Sequence, residues 1–143
     1  MASIYRDAVI DVSADTAWAA LQDVGAADRP FAGVLTGCTL EGDVRTVTFA
    51  NGMVAKERIV TVDDGHRRVV YSTLNEVFLH HSASMRIVPM GERQCRFIWI
   101  SDVLPEQAAE RIAPLVDAGC LAIKKNLESG KAESSMPHVA SPS

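Results

Sequence analysis

The chain has 143 residues, of which 48% are hydrophobic and 22% are charged, and its formal net charge at pH 7 is −4. This length and balance predict one globular domain that buries a core without disulfides. An acidic chain with scattered lysines and arginines is a poor nucleic-acid binder, because phosphate contacts need a basic face. No apolar run approaches the roughly 18 to 20 residues of a membrane span.

The cysteines and the N-terminus bear on the compartment of the protein. The segment from Met1 to Asp7 lacks the basic and then apolar regions of a signal peptide. Cys38, Cys95 and Cys120 are odd in number, far apart and without a C-x-x-C pair, so neither a disulfide framework nor a zinc site is expected. The chain is therefore predicted to be cytoplasmic, with reduced thiols and no bound metal.

The N-terminal part predicts one strand followed by short helices. Residues 4–12 form the predicted strand. Ser13 is suited to cap a helix, and apolar residues from Ala17 to Val24 then fall at helical spacing. Residues 26–30 add a further short helical turn in this prediction.

The middle of the chain predicts six strands joined by short turns. The pair Asn51-Gly52 is the strongest hairpin signal in the chain, and Asp64-Gly65 marks a second turn of the same kind. Short strands at this spacing predict one antiparallel meander. The predicted strands are residues 34–40, 44–49, 53–62, 67–74, 81–88 and 94–101.

The last predicted element is a long helix over residues 105–128. Its apolar residues repeat at spacings of four and three and so form one stripe that can face the sheet. Pro114 lies inside the helix and is expected to kink or divide it. Residues 129–143 are rich in Ser, Pro and Ala and predict a flexible tail. The stripe consists of Ile112, Val116, Cys120, Ile123 and Leu127.

Four segments together match a known pattern. They are Val-Ser-Ala-Asp-Thr-Ala-Trp at residues 12–18, residues 52–60, residues 63–71, and Phe-Ile-Trp at 97–99 with Asp102 and Pro105 after it. In these segments the chain resembles the START-like superfamily, also called SRPBCC. This superfamily includes the birch-pollen-allergen relatives and the polyketide cyclase/dehydrase group, and the resemblance covers nearly all of residues 3–128.

The resemblance implies an α+β helix-grip fold for residues 1–128 as a single domain. A seven-stranded antiparallel sheet would wrap around the long C-terminal helix, with two short helices after the first strand. A hydrophobic cavity would lie between sheet and helix. Members of this superfamily include cyclases, dehydratases, lipid carriers, hormone receptors and co-chaperones, so the fold does not choose among these functions.

His81 is the first candidate for chemistry. If it shares a strand face with Ala83, Met85 and Ile87, it points into the cavity and His80 points outward. A histidine there could act as a general base or acid near neutral pH. The alternative is a hydrogen-bonded wall residue. The two histidines cannot chelate a metal together from opposite faces, so no metal site is predicted.

Glu57 and Tyr71 are the other two catalytic candidates. Facing inward, Glu57 would be a carboxylate in an apolar cavity, open to acid or base chemistry. Facing outward, it would pair with Lys56 or Arg67, and a structural role is the favoured interpretation. Tyr71 could donate its hydroxyl to a ligand carbonyl. The strand register leaves the direction of both side chains open.

Six residues are predicted to contact a ligand. Methionine and aromatic side chains suit an adaptable apolar pocket, and two stripe residues of the last helix would close it. For Phe97, plain core packing is the more probable role. The six are Met53, Met85, Phe97, Trp99, Val116 and Cys120.

Two functions remain open from the sequence. One is a polyketide cyclase/dehydrase-like enzyme without metal or nucleotide cofactor, acting by enforced substrate folding plus proton transfer. The other is a non-catalytic carrier or sensor of a small hydrophobic (polyketide-like, aromatic or lipid) molecule, with its mouth near residues 75–80. A protein-interaction module is a weaker third alternative. Ile98 and Ile100 on the outer sheet face suggest a homodimer.

Overall fold

The computed structural model describes residues 2–130, which form one seven-stranded antiparallel sheet and two α-helices. The strands are β1 Ala2–Ile10, β2 Leu35–Glu41, β3 Val44–Phe49, β4 Val54–Asp63, β5 Arg68–Thr73, β6 His80–Pro89 and β7 Cys95–Leu104. Spatial strand order is β1-β7-β6-β5-β4-β3-β2, so every strand except β1 lies next to a strand that is its neighbour in sequence. The helices are α1 Ala14–Leu21, a 3-10 turn Val24–Ala26, and α2 Glu106–Glu128. This is the α+β helix-grip architecture.

The β3–β4 hairpin forms at the turn that the sequence predicts. Gly52 has a φ of +91°, a left-handed conformation that glycine adopts without steric cost. The Phe49 N–H donates to the Met53 carbonyl at 2.8 Å and closes the turn. The hairpin places Asn51 and Met53 beside the N-terminal half of α2, at the mouth of the cavity described below.

One α-helix and a single 3-10 turn follow β1, where two short helices were expected. Ser13 caps α1, and its hydroxyl oxygen accepts a hydrogen bond from the Thr16 N–H at 3.1 Å. Trp18 is buried against the sheet, and its indole N–H donates to the Asp64 carboxylate at 2.9 Å. The Trp18 hydrogen bond ties the helix to the β4–β5 turn.

The C-terminal half of the long helix packs on the sheet. Ile123 and Leu127 are fully buried there, and α2 contacts β1 and β7. The helix is continuous through Pro114, so of the two predicted effects of the proline, a kink or a division, the division does not occur. Residues 129 and 130 end the helix, and the rest of the predicted tail lies outside the described residues. Neither helix of the described region is long and apolar enough to cross a membrane.

Two irregularities bend the side of the sheet that faces the N-terminal half of α2. The pairing register shifts between Leu35 and Gly37 in β2, and again between Ile59 and Thr61 in β4. Such bulges bend a strand and increase its twist. The strands that carry them therefore curve, and the open space of the fold lies between this part of the sheet and α2.

Candidate functional site

An internal cavity of about 530 Å³ lies between the N-terminal half of α2 and the inner face of the sheet. This volume falls within the range of pockets that hold small organic molecules. Its wall is mainly apolar, and its rim is formed by the β3–β4 turn, the β5–β6 loop and the exposed side of α2. Apolar wall residues include Phe31, Leu35, Val47, Phe49, Met85 and Val116.

A buried ion pair forms part of the cavity wall. Arg45 and Glu57 are direct cross-strand partners on β3 and β4, and their side chains are only 7% and 11% exposed. Arg45 Nε donates to Glu57 Oε1 at 2.7 Å, and Arg45 Nη1 donates to the Val24 carbonyl at 3.3 Å. The guanidinium carbon also lies 4.9 Å from the centre of the Tyr71 ring. The strand register thus fixes a compensated pair of charges inside an apolar cavity.

Tyr71 presents a protonated hydroxyl to this cavity. Burial is the main cause that raises its pKa, and the Glu57 carboxylate adds to the rise, while Arg45 and the Trp99 indole act in the opposite direction. The phenol therefore stays neutral at physiological pH and is able to donate a hydrogen bond. Among the described residues no side chain or backbone group accepts one from it in proper geometry.

His81 lies in the cavity wall, as the strand alternation predicts, while His80 is exposed. Its Nδ1 accepts a hydrogen bond from the Thr73 backbone N–H at 3.0 Å. Burial, and then the charge of His80, lower the pKa of His81 to about 4. The ring is therefore neutral at pH 7 with its proton on Nε2, since Nδ1 is already an acceptor.

This geometry bears on the predicted role of His81 as a general base. A general base needs a free lone pair, and the only lone pair of this neutral ring is occupied by Thr73. The remaining nitrogen, Nε2, is a donor 3.4 Å from the Thr73 hydroxyl. His81 is consequently suited to donate a hydrogen bond and to tie β5 to β6, but not to abstract a proton.

The lowered pKa of His81 makes a prediction about stability. His81 takes up a proton near pH 6.5 in the unfolded chain and only near pH 4 in the folded chain. The free energy of unfolding therefore keeps its full value above pH 6.5 and declines as the pH falls towards 4. In the His81→Asn variant, whose side-chain oxygen can still accept from Thr73, we expect this decline of about 1 to 3 kcal/mol to be absent. Urea unfolding of both proteins at pH 7 and pH 4.5 measures it. An identical pH dependence in the two proteins would contradict the assignment.

Trp99 is clamped between the helix and neighbouring aromatic rings. A Cβ atom at position 119 would lie 2.6 Å from Trp99 Cζ3, so only glycine allows α2 to approach the indole this closely. The ring centres of Phe31 and Phe97 lie 5.7 and 6.0 Å from that of Trp99. At the other edge of the indole, Nε1 is buried and has no hydrogen-bond partner among the described residues.

The structure separates the six predicted ligand-contacting residues into three groups. Met85, Trp99 and Val116 lie in the cavity wall, and Met53 lies at the rim, where it is 52% exposed. Phe97 and Cys120 do not line the cavity and are corrected to core residues. Both side chains are packed in the buried core instead, where other side chains surround them. Glu57 and Tyr71 both face inward.

Arg45 is the functional residue that the sequence analysis missed. Its signal was present, because Arg45 alternates with Val47 and Phe49 and so shares their apolar face. A charged side chain on a buried apolar face needs a buried partner of opposite charge, and Glu57 is that partner. Ser101, a buried cavity residue that alternates with Trp99, was also missed.

No group of three or more metal-ligating side chains converges within residues 2–130.

Comparison with known proteins identifies the family of this chain. A family model described as polyketide cyclase / dehydrase and lipid transport matches residues 1–130. The chain belongs to this polyketide cyclase/dehydrase family. None of the curated proteins compared with the chain matches it at a significant level.

Several solved structures share the helix-grip fold of this chain. An uncharacterised Bacillus thuringiensis protein is 16% identical, with a TM-score of 0.78 over 88% of this chain and 98% of its own. The Zhui aromatase/cyclase of a Streptomyces species is 15% identical, with a TM-score of 0.72 over 91% and 93%. Norcoclaurine synthase of Thalictrum flavum is 18% identical, with a TM-score of 0.69 over 90% and 91%. At these identities the likeness establishes the fold.

Proposed function

We propose that the protein binds a small hydrophobic molecule in its internal cavity and that the polar cluster on one wall acts on that molecule. The observation that carries the proposal is the cavity itself, about 530 Å³ lined mainly by apolar side chains. A core that needed only stability would be close-packed, because voids of this size forfeit packing contacts. The cluster consists of Arg45, Glu57, Tyr71, His81 and Trp99.

The cluster supports chemistry on a carbonyl compound of the polyketide type. The neutral donors Tyr71 and His81 could hydrogen-bond a carbonyl oxygen and stabilise negative charge that develops on it. Glu57 Oε2, to which no described residue donates a hydrogen bond, could take the proton from the adjacent carbon. Proton transfer of this kind, with the chain of the substrate folded by the apolar wall, would lead to cyclisation.

Carriage or sensing of the same molecule is the second candidate function. Two observations favour it: Arg45 already occupies one Glu57 oxygen, and Thr73 occupies the only lone pair of His81. Both contacts weaken the residues as proton acceptors. The protein-interaction module has less support, since that function does not need a cavity. A cytoplasmic location and a homodimer through Ile98 and Ile100 stay predictions, the latter supported by partial exposure of both residues.

Native mass spectrometry of the purified protein tests the proposed function. We expect a non-covalent adduct with the mass of a small organic molecule, which is lost under denaturing conditions. Returning the extracted molecule to ligand-free protein then separates the two functions, because an enzyme converts it and a carrier releases it unchanged. The Glu57→Gln variant should bind it but not convert it. A protein that retains nothing, and binds no hydrophobic probe either, would contradict the proposal.

A further inference from the structure

We propose that the indole N–H of Trp99 is a ligand-binding donor, and that the ligand is an uncharged compound whose carbonyl oxygen docks between Trp99 and Tyr71. The inference rests on the proposed function, because it needs a ligand in the cavity. It adds to that function the residue that recognises the carbonyl group and the uncharged state of the ligand.

The first argument is the unpartnered state of Trp99 Nε1. The residue is 8% exposed and lies in the cavity wall, and none of the described residues accepts a hydrogen bond from its indole N–H. Buried donors are almost always paired, because leaving one unpaired forfeits its hydrogen bond to water. The other tryptophan follows this rule, since Trp18 donates to Asp64 at 2.9 Å. An acceptor that is not part of the described chain is therefore expected at Trp99.

The second argument is that the indole is held in place. Close approach of α2 at Gly119 and the ring contacts with Phe31 and Phe97 prevent the side chain from turning to find another partner. The N–H is thus oriented before any ligand arrives. Preorganised donors bind an acceptor without a further cost in side-chain entropy.

The third argument is the neighbouring hydroxyl. The Trp99 indole N–H is close enough to the Tyr71 hydroxyl to lower the pKa of Tyr71, but the two groups do not meet in proper hydrogen-bond geometry. Both groups are donors, and one oxygen with two lone pairs can satisfy both. A ketone or similar carbonyl has such an oxygen on an otherwise apolar body, which suits the apolar remainder of the wall.

The fourth argument is the balance of charge. The charged residues in the cavity wall and rim are Arg45, Glu57 and Arg111. Arg45 is neutralised by Glu57 inside the cavity, while Arg111 is exposed at the rim. His81 adds no charge at pH 7. A carboxylate ligand would meet no free cation in the interior and would lie near Glu57, so an uncharged ligand is favoured.

Three probes of nearly the same shape test the inference. Acetylnaphthalene carries the carbonyl, isopropenylnaphthalene replaces that oxygen by a CH₂ group, and naphthoate carries a charge. We expect the protein to bind the ketone about tenfold more tightly than the alkene, and naphthoate more weakly than the ketone. In the Trp99→Phe variant the preference for the ketone should fall to about one- to threefold, with alkene affinity retained. The Trp18→Phe variant is the matched control and should keep the preference.

A spectroscopic reading on the unmodified protein gives an independent check. In a proton–nitrogen correlation spectrum, the ketone should move the Trp99 indole signal downfield and the alkene should not, while the Trp18 signal stays in place. Equal affinity for ketone and alkene would overturn the inference and leave the proposed function standing, with water as the partner of Trp99. Tighter binding of naphthoate would overturn the uncharged class. Failure of every probe to bind would overturn the inference, and in a protein that also retains no small molecule it would overturn the proposed function as well.

Discussion

Replacing Arg45 by methionine is expected to lower the free energy of unfolding by about 3 kcal/mol, because Glu57 is left as a buried carboxylate without its partner. The double variant Arg45→Met with Glu57→Leu should regain most of this loss. It removes both charges and fills the same space with apolar atoms, a change that is often neutral in other buried pairs. Urea unfolding at pH 7 measures the two differences.

A surface pair on the same sheet provides the control. Arg96 Nη1 lies 2.6 Å from Asp7 Oδ2, but the two side chains are 39% and 33% exposed. Solvent screens such a pair, so Arg96→Met should cost only about 0 to 1 kcal/mol. A loss at Arg45 no larger than that at Arg96, or a double variant no more stable than the single one, would show that the cavity wall does not bury this charge.

The sequence predicted those parts of the fold that local patterns determine. Asn51-Gly52 specifies a hairpin through the conformation of two residues, and the structure confirms it. The apolar stripe that includes Ile123 and Leu127 specifies the face that α2 buries. His81 was correctly predicted to face inward, since alternation along a strand decides that direction.

The parts that the sequence left open depend on tertiary position. Phe97 and Trp99 share one face of β7, and only their positions along the strand decide that Trp99 lines the cavity and that Phe97 lies in the packed core. Lys56 and Arg67 were the suggested partners of an outward-facing Glu57, whereas the side chain faces inward and strand register pairs it with Arg45. The state of His81 depends on the backbone of Thr73, which no pattern within β6 reveals.

Filling the cavity should abolish ligand binding and leave the fold intact. Ala55 lies in the cavity wall on β4, directly opposite Val47 of β3. A tryptophan at position 55 would place its ring in the space that a ligand needs, and strands accept aromatic residues well. Affinity for acetylnaphthalene should fall roughly a hundredfold or more. The stability of Ala55→Trp should stay within about 1 kcal/mol of the unmodified protein, because the new ring enters empty space rather than a packed core.

A calorimetric titration with acetylnaphthalene on three proteins tests the central claim most directly: the unmodified chain, Ala55→Trp and Lys56→Trp. Lys56 is the next residue of β4 and is exposed on the opposite face, so its tryptophan adds the same ring outside the cavity. We predict one saturable site in the unmodified chain and in Lys56→Trp, and none in folded Ala55→Trp. Equal binding by all three would place the hydrophobic ligand elsewhere and contradict the account.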